Sequence, residues 1–179
     1  MQKLLGFACL AASLVSIQGS TLQQLTLDDM IRKSTIIVRG QTQPSYSAVR
    51  GSVIYTHYRV RVSEVLKGSI TNQVDIAVPG GTSSGRTQTF AGIPTLLSGQ
   101  DYVLFLWTSK SGLTQVIGLS QGLFAVTPNS SGQPTVQRAA ATERMLNAFG
   151  QTVTDSDIQM LLSDLRTRIQ AMLLAESGR

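Results

Sequence analysis

Residues 58–81, YRVRVSEVLKGSITNQVDIAVPGG, constrain the fold more than any other stretch of this chain. Tyr58, Val60 and Val62 alternate with Arg59, Arg61 and Ser63, the period of a strand with one apolar and one cationic face. Past Ser63 the apolar residues are Val65 and Leu66, one step out of phase, which is what an inserted residue near Ser63 and Glu64 produces. Such a β-bulge bends a strand toward barrel closure. Lys67 and Gly68 make a turn, Val74, Ile76 and Val78 present the next apolar face, and Pro79, Gly80 and Gly81 stop that strand.

Further strand signals flank this pair. Thr35 to Arg39 is a β-branched run ending at Gly40, and Y-V-L-F-L-W from Tyr102 is apolar at every position, as a central strand covered on both sides requires. Val116 to Leu119, Leu123 to Val126, and Thr135 with Val136 read as shorter strands, the last reached through a turn at Pro128, Asn129 and Gly132. Residues 41–52 read as a mobile loop or loosely ordered strand end, and 82–99 as a flexible, mobile loop. Six or seven strands without βαβ alternation predict a mainly β, antiparallel barrel or sandwich.

Helical patterns bracket the strands. Thr26 is an N-cap with Asp28 and Asp29 behind it, Arg32 and Lys33 in the last turn, and Leu25 and Met30 at the two staple positions. Near the other end, 139–149 reads as a helix stopped by Gly150. A second helix, opened by Thr154 with Asp155 and Asp157 in its first turn, carries Ile158, Leu161, Leu162, Leu165, Ile169, Met172 and Leu173 as an apolar stripe. Val153 and Ile158 are its staple pair, and Asp164 with Arg168 forms an i, i+4 pair on its polar side.

At the start, Lys3 precedes an apolar run of small and aliphatic residues that ends in the polar Gln18, Gly19, Ser20 and Thr21, the layout of a secretory leader over residues 1–19. Residues 20–150 then form one barrel domain with flanking short helices, and 151–179 a C-terminal amphipathic helix packed on it. Leader cleavage removes Cys9, the only cysteine, so the exported chain has neither disulfide nor thiolate. It also leaves no transmembrane segment. With Lys3 gone, 14 basic residues face 10 acidic ones, a net charge of +4 spread along the chain. That balance permits attraction to anionic surface polymers without specifying one.

Little in the sequence can carry catalysis. Gly81-Thr82-Ser83-Ser84-Gly85 matches G-x-S-x-G, yet the residues after it have no helical period and the only histidine, His57, lies upstream. His57 alone cannot hold a catalytic zinc, which takes three protein ligands. The paired acids at 28/29 and 155/157 are explained as helix caps, and the glycines at 80–85 lack the Gly-Lys-Ser ending of a phosphate loop. Arg59 and Arg61 share a face from which Tyr58 points away, so they form no stacking platform for nucleic acid. No catalytic residue, metal site or cofactor is expected.

The series S-T-I-I-V-R-G, V-I-Y-T-H-Y-R-V-R-V-S-E-V-L-K-G, V-D-I-A-V-P-G-G, S-G-Q-D-Y-V-L-F-L-W and G-L-S-Q-G-L-F-A-V resembles a group of exported bacterial proteins of unknown function. More distantly, a short helix, an I-I-V strand, a strand ending L-K-G and a late Y-V-L-F strand look like the netrin-module and tissue-inhibitor-of-metalloproteinase type of OB barrel. That resemblance implies a five-stranded Greek-key barrel flanked by helices. Those inhibitors chelate the protease zinc through an N-terminal cysteine, and without one none of their functional residues carries over.

The sequence therefore predicts an exported, periplasmic or extracellular, non-enzymatic binding module. Its partner would be a protein or envelope polymer, met by the loops 41–52 and 82–99, with Arg59, Arg61 and Arg86 as ligand contacts. The alternatives are a hydrolase using Ser83 or a carboxylate, and an envelope-assembly subunit using the C-terminal helix as its contact.

Overall fold

The computed structural model describes residues 21–178; the expected leader over 1–19 and Cys9 lie outside them. The chain runs β1 (Thr21–Gln23), α1 (Leu27–Lys33), β2 (Ile36–Thr42), β3 (Tyr46–Arg50), β4 (Val53–Lys67) and β5 (Gln73–Pro79). It continues through β6 (Gly81–Ser83), β7 (Arg86–Gln88), β8 (Asp101–Thr108), β9 (Thr114–Val116) and β10 (Leu123–Pro128). β11 (Pro134–Arg138), β12 (Arg144–Leu146), β13 (Thr152–Val153), β14 (Ile158–Leu161) and α2 (Leu162–Ser177) complete it. The fold is mainly β, and no helix among the described residues is long and apolar enough to cross a membrane.

Nine strands form the principal sheet, in the order β14-β11-β10-β8-β2-β4-β3, with β5 added to β4 and β9 to β8. Every ladder in it is antiparallel. The hydrogen-bonded path does not close into a ring among the described residues. β8 is central, paired with β2, β9 and β10, and Tyr102 to Leu106 are all buried. An uninterrupted apolar run can be a strand only when both faces are covered, and here they are.

β4 explains how one sheet serves two cores. Its register with β2 slips twice, skipping Ser63 between the pairs Gly40↔Val62 and Arg39↔Glu64, and Leu66 between Val38↔Val65 and Ile37↔Lys67. The sequence showed the first slip and hid the second. Before the bulges Tyr58 and Val60 enter one apolar cluster with Val74, Ile76, Val78 and Leu104. Past the first bulge Leu66 packs on the other, built from Met30, Ile31, Phe105, Phe124 and the α2 residues Leu162, Leu165 and Ile169. Leu162, Leu165 and Ile169 of the α2 stripe are thus buried within the chain, with Met172 and Leu173 partly buried beside them. Thr26 caps α1 in a reciprocal capping box with Asp29.

Three expectations are overturned. Residues 41–52 are neither a loop nor a loose strand end, because Tyr46–Arg50 is a strand paired with the start of β4 from Tyr46↔His57 to Arg50↔Val53. Residues 139–149 are not helical: β12 runs parallel to β1 and antiparallel to β13, and Asn147 then opens a turn. The side-chain oxygen of Asn147 accepts the N–H groups of Phe149 and Gln151, competing with any helical bond. Nor do Asp155 and Asp157 begin a helix. Residues 158–161 form β14 against β11, and α2 starts only at Leu162. Asp155 is instead held by Arg138 at 2.6 Å, Asp157 accepts the Ala140 N–H at 2.7 Å, and Arg168 bonds Asp28 of α1 rather than Asp164.

Candidate ligand-binding face

Along β4, Tyr55, His57, Arg59 and Arg61 fall on one face because strand side chains alternate. The neighbouring strands decide what stands beside them. β3 sets Tyr46 opposite His57, and β5 sets Asp75 opposite Arg59. The rings of Tyr46 and His57 stack with centroids 4.9 Å apart and planes 10° from parallel. The Arg59 guanidinium lies over Tyr46, 5.1 Å from its centroid, within cation–π range.

Asp75 ties this cluster together. One carboxylate oxygen sits 2.6 Å from His57 Nδ1 and the other accepts the Tyr46 hydroxyl at 3.2 Å. This contact uses Nδ1, and Nε2 has no hydrogen-bond partner among the described residues. Tyr58, on the opposite side of the strand, is buried, and burial pushes its phenol above the ordinary tyrosine range.

Next along the face, Arg61 donates to Gln41 Oε1 at 3.1 Å, and Gln41 in turn donates to the Gly99 carbonyl. A shallow groove of about 400 Å³ opens there between Arg39, Gln41, Arg61, Ser63 and Asp101. Arg39 is neutralised by Asp101, which accepts two of its N–H groups at 2.8 and 2.6 Å. Arg61 has no carboxylate partner among the described residues, and Arg59 is matched only by a π face. Asp75 thus stands near Arg59 without pairing to it, and Arg61, at the groove, is the cation that no carboxylate among the described residues meets.

Of the three arginines expected to meet a ligand, Arg59 and Arg61 share this face. Arg86 is exposed on β7, and no hydrogen bond, ion pair or ring contact joins it to the other two. Tyr46 escaped the sequence reading, which set Asp75 on the polar side of its strand and in line with His57 and Ser83 without joining it to this face. The signal for Tyr46 was present: Arg50↔Val53 closes a two-residue turn at Gly51 and Ser52, and counting back along that register sets Tyr46 against His57. Tyr46 supplies from a neighbouring strand the aromatic surface that Tyr58 could not.

The G-x-S-x-G stretch forms a β-hairpin. β6 pairs with β7 through Ser83↔Arg86, and the intervening Ser84 and Gly85 have φ of 51° and 72°, the left-handed pair that a type I′ turn needs. A nucleophile elbow requires a helix at that point, and no hydrogen bond joins Ser83 to His57. Among the described residues no three His, Cys, Asp or Glu side chains converge as a metal site would need. Comparison with protein-family models, with curated proteins and with solved structures finds no match for this chain.

Proposed function

We infer that this chain is an exported, non-enzymatic binding module that takes an anionic polymer of the cell envelope on the outer face of β4. The observation that carries the reading is the placement of Arg59 and Arg61 on one face of one strand, neither in an ion pair among the described residues although Asp75 stands opposite Arg59, beside a groove and a stacked Tyr46–His57 pair. Guanidinium groups suit repeated carboxylate, sulfate or phosphate groups, which they meet with paired donors. Aromatic faces beside them add contact area to a chain-like ligand at little entropic cost.

The scaffold reading is an OB-like barrel left open along one side. Ladders run in the order β5-β4-β2-β8-β9, and β5 and β9 approach each other without a ladder of their own. Five strands in that order around a seam agree with a partly open Greek-key barrel. Export rests on the leader pattern over residues 1–19.

The test is chromatography of the protein on dextran sulfate and on neutral dextran. We expect retention on the sulfated matrix alone, with the Arg59→Ala/Arg61→Ala variant eluting at clearly lower salt than an Arg86→Ala/Lys110→Ala control of identical net charge. Equal elution of the two variants would mean that only overall charge is read, and the site assignment would fall.

A further inference from the structure

We propose that the open seam between β5 and β9 is a separate site for a small, largely apolar molecule bearing one hydrogen-bonding group, such as a single aromatic ring with a short polar substituent. The seam is built from strands that are each paired on one side only, β5 with β4 and β9 with β8. Their facing edges carry backbone groups that no ladder occupies. Between them lies a cavity of about 260 Å³ walled by Val78, Pro79, Pro94, Trp107, Val116 and Leu119. The Gln115 amide and the Trp107 indole N–H are the only side-chain polar groups in its lining.

Size selects the class of occupant. An enclosed apolar cavity of about 150 Å³ is enough to bind benzene, so this cleft, although open to solvent on one side, has room for a ring with a substituent and little more. A peptide strand does not fit. The Cα atoms of β5 and β9 approach within 8 Å, whereas an inserted strand needs two interstrand spacings, about 9.6 Å in all.

The wall includes a tight turn, in which Gly118 and Leu119 are consecutive left-handed residues with φ of 61° and 60°. The left-handed conformation is one that a residue with a Cβ adopts only at a cost, so Leu119 needs support from its surroundings. It is kept there from outside. Gln121, fully buried, accepts the Leu25 N–H at 2.8 Å and donates to the Gln23 and Gly118 carbonyls at 2.9 and 3.3 Å, bracing the turn that carries Leu119. Trp107 is likewise 38% exposed, directly after five buried residues of β8. A braced leucine and a half-open tryptophan facing one hollow are what a preformed apolar site presents.

Trp107 is the only tryptophan, so its fluorescence reports the cavity wall alone. We expect 4-nitrobenzyl alcohol to quench it saturably, and more tightly than 4-nitrotoluene, which lacks the hydroxyl. Leu119→Gly tolerates the left-handed backbone and removes one wall, and it should weaken binding at least tenfold while thermal unfolding stays cooperative. Gln115→Ala should leave both compounds binding alike. Quenching that rises linearly without saturation, as from collision in solution, would overturn the proposal, as would an unchanged midpoint in folded Leu119→Gly protein.

Discussion

Two arginine–carboxylate pairs anchor the C-terminal third of the chain, and they differ in one respect. Arg138 holds Asp155 with two N–H groups at 2.6 and 3.1 Å, and Arg166 holds Glu64 with two at 2.8 and 2.6 Å. The first pair leaves 5% and 3% of its side chains exposed, the second 34% and 30%. Nearly equal distances therefore conceal unequal stakes. Water can take over for either partner of the outer pair if the other is lost, but inside the protein an abandoned charge has nothing to turn to. Arg138 already has a buried Nε without a partner, and the remaining capacity of Asp155 is used by the Ala141 N–H at 2.8 Å.

The sharpest way to break this comparison is to remove one buried partner. Asp155→Ala strands the Arg138 guanidinium and should cost about 3–5 kcal/mol, lowering Tm by on the order of 10 °C in a chain of this size. Arg138→Met/Asp155→Leu removes both charges and should recover most of that loss in chemical denaturation, because the pair had to repay its own desolvation. A double variant as unstable as the single one would show the pair to be a net source of stability.

Acid should reveal the same asymmetry. Burial alone would raise the Asp155 carboxyl, but hydrogen bonds from Arg138 and Ala141 outweigh it and hold the group at about 2, against 3.8 unperturbed. A carboxyl with a lowered folded pKa stabilises fully above its unfolded value and loses that contribution as pH falls toward the folded one. Stability should thus drop by on the order of 2 kcal/mol between about pH 4 and pH 2 on account of this group. Asp155→Asn, already destabilised at neutral pH, should show a correspondingly shallower acid limb in denaturant titrations at pH 5, 4, 3 and 2.

Why the buried pair was invisible in the sequence is a matter of range. β8 was legible because six successive apolar residues speak for themselves, and the first bulge of β4 because a phase slip is local. Asp155 sits 17 residues from Arg138 and looked like a helix cap, a role that local pattern assigns without knowing what lies across the sheet. A nearer signal was overlooked. Asn129-Ser130-Ser131-Gly132-Gln133 and Asn147-Ala148-Phe149-Gly150-Gln151 share their spacing, and both asparagines accept the N–H groups two and four residues on. Both glycines have φ of 76°. The first reads as a turn because Pro128 and two serines announce it, while Ala148 and Phe149 disguise the second as helix. The ligand-binding face was half legible: the cations lie on one strand, but Tyr46 and Asp75 reach it only through pairing.

The outer pair sets the lower end of the scale. Glu64→Gln should cost at most about 1 kcal/mol, since both partners keep access to water and the pair has only to hold its geometry. Arg168→Ala, which frees Asp28 of α1, should cost still less, a few tenths of a kcal/mol, because that contact is single and about half exposed. Salt separates the two regimes. At 1 M NaCl the screening length falls to about 3 Å, so the penalties of Glu64→Gln and Arg168→Ala should shrink toward zero while that of Asp155→Ala persists. If instead the Asp155→Ala penalty shrank in proportion with the others, solvent ions would be reaching Arg138, and burial would no longer account for the difference between the pairs.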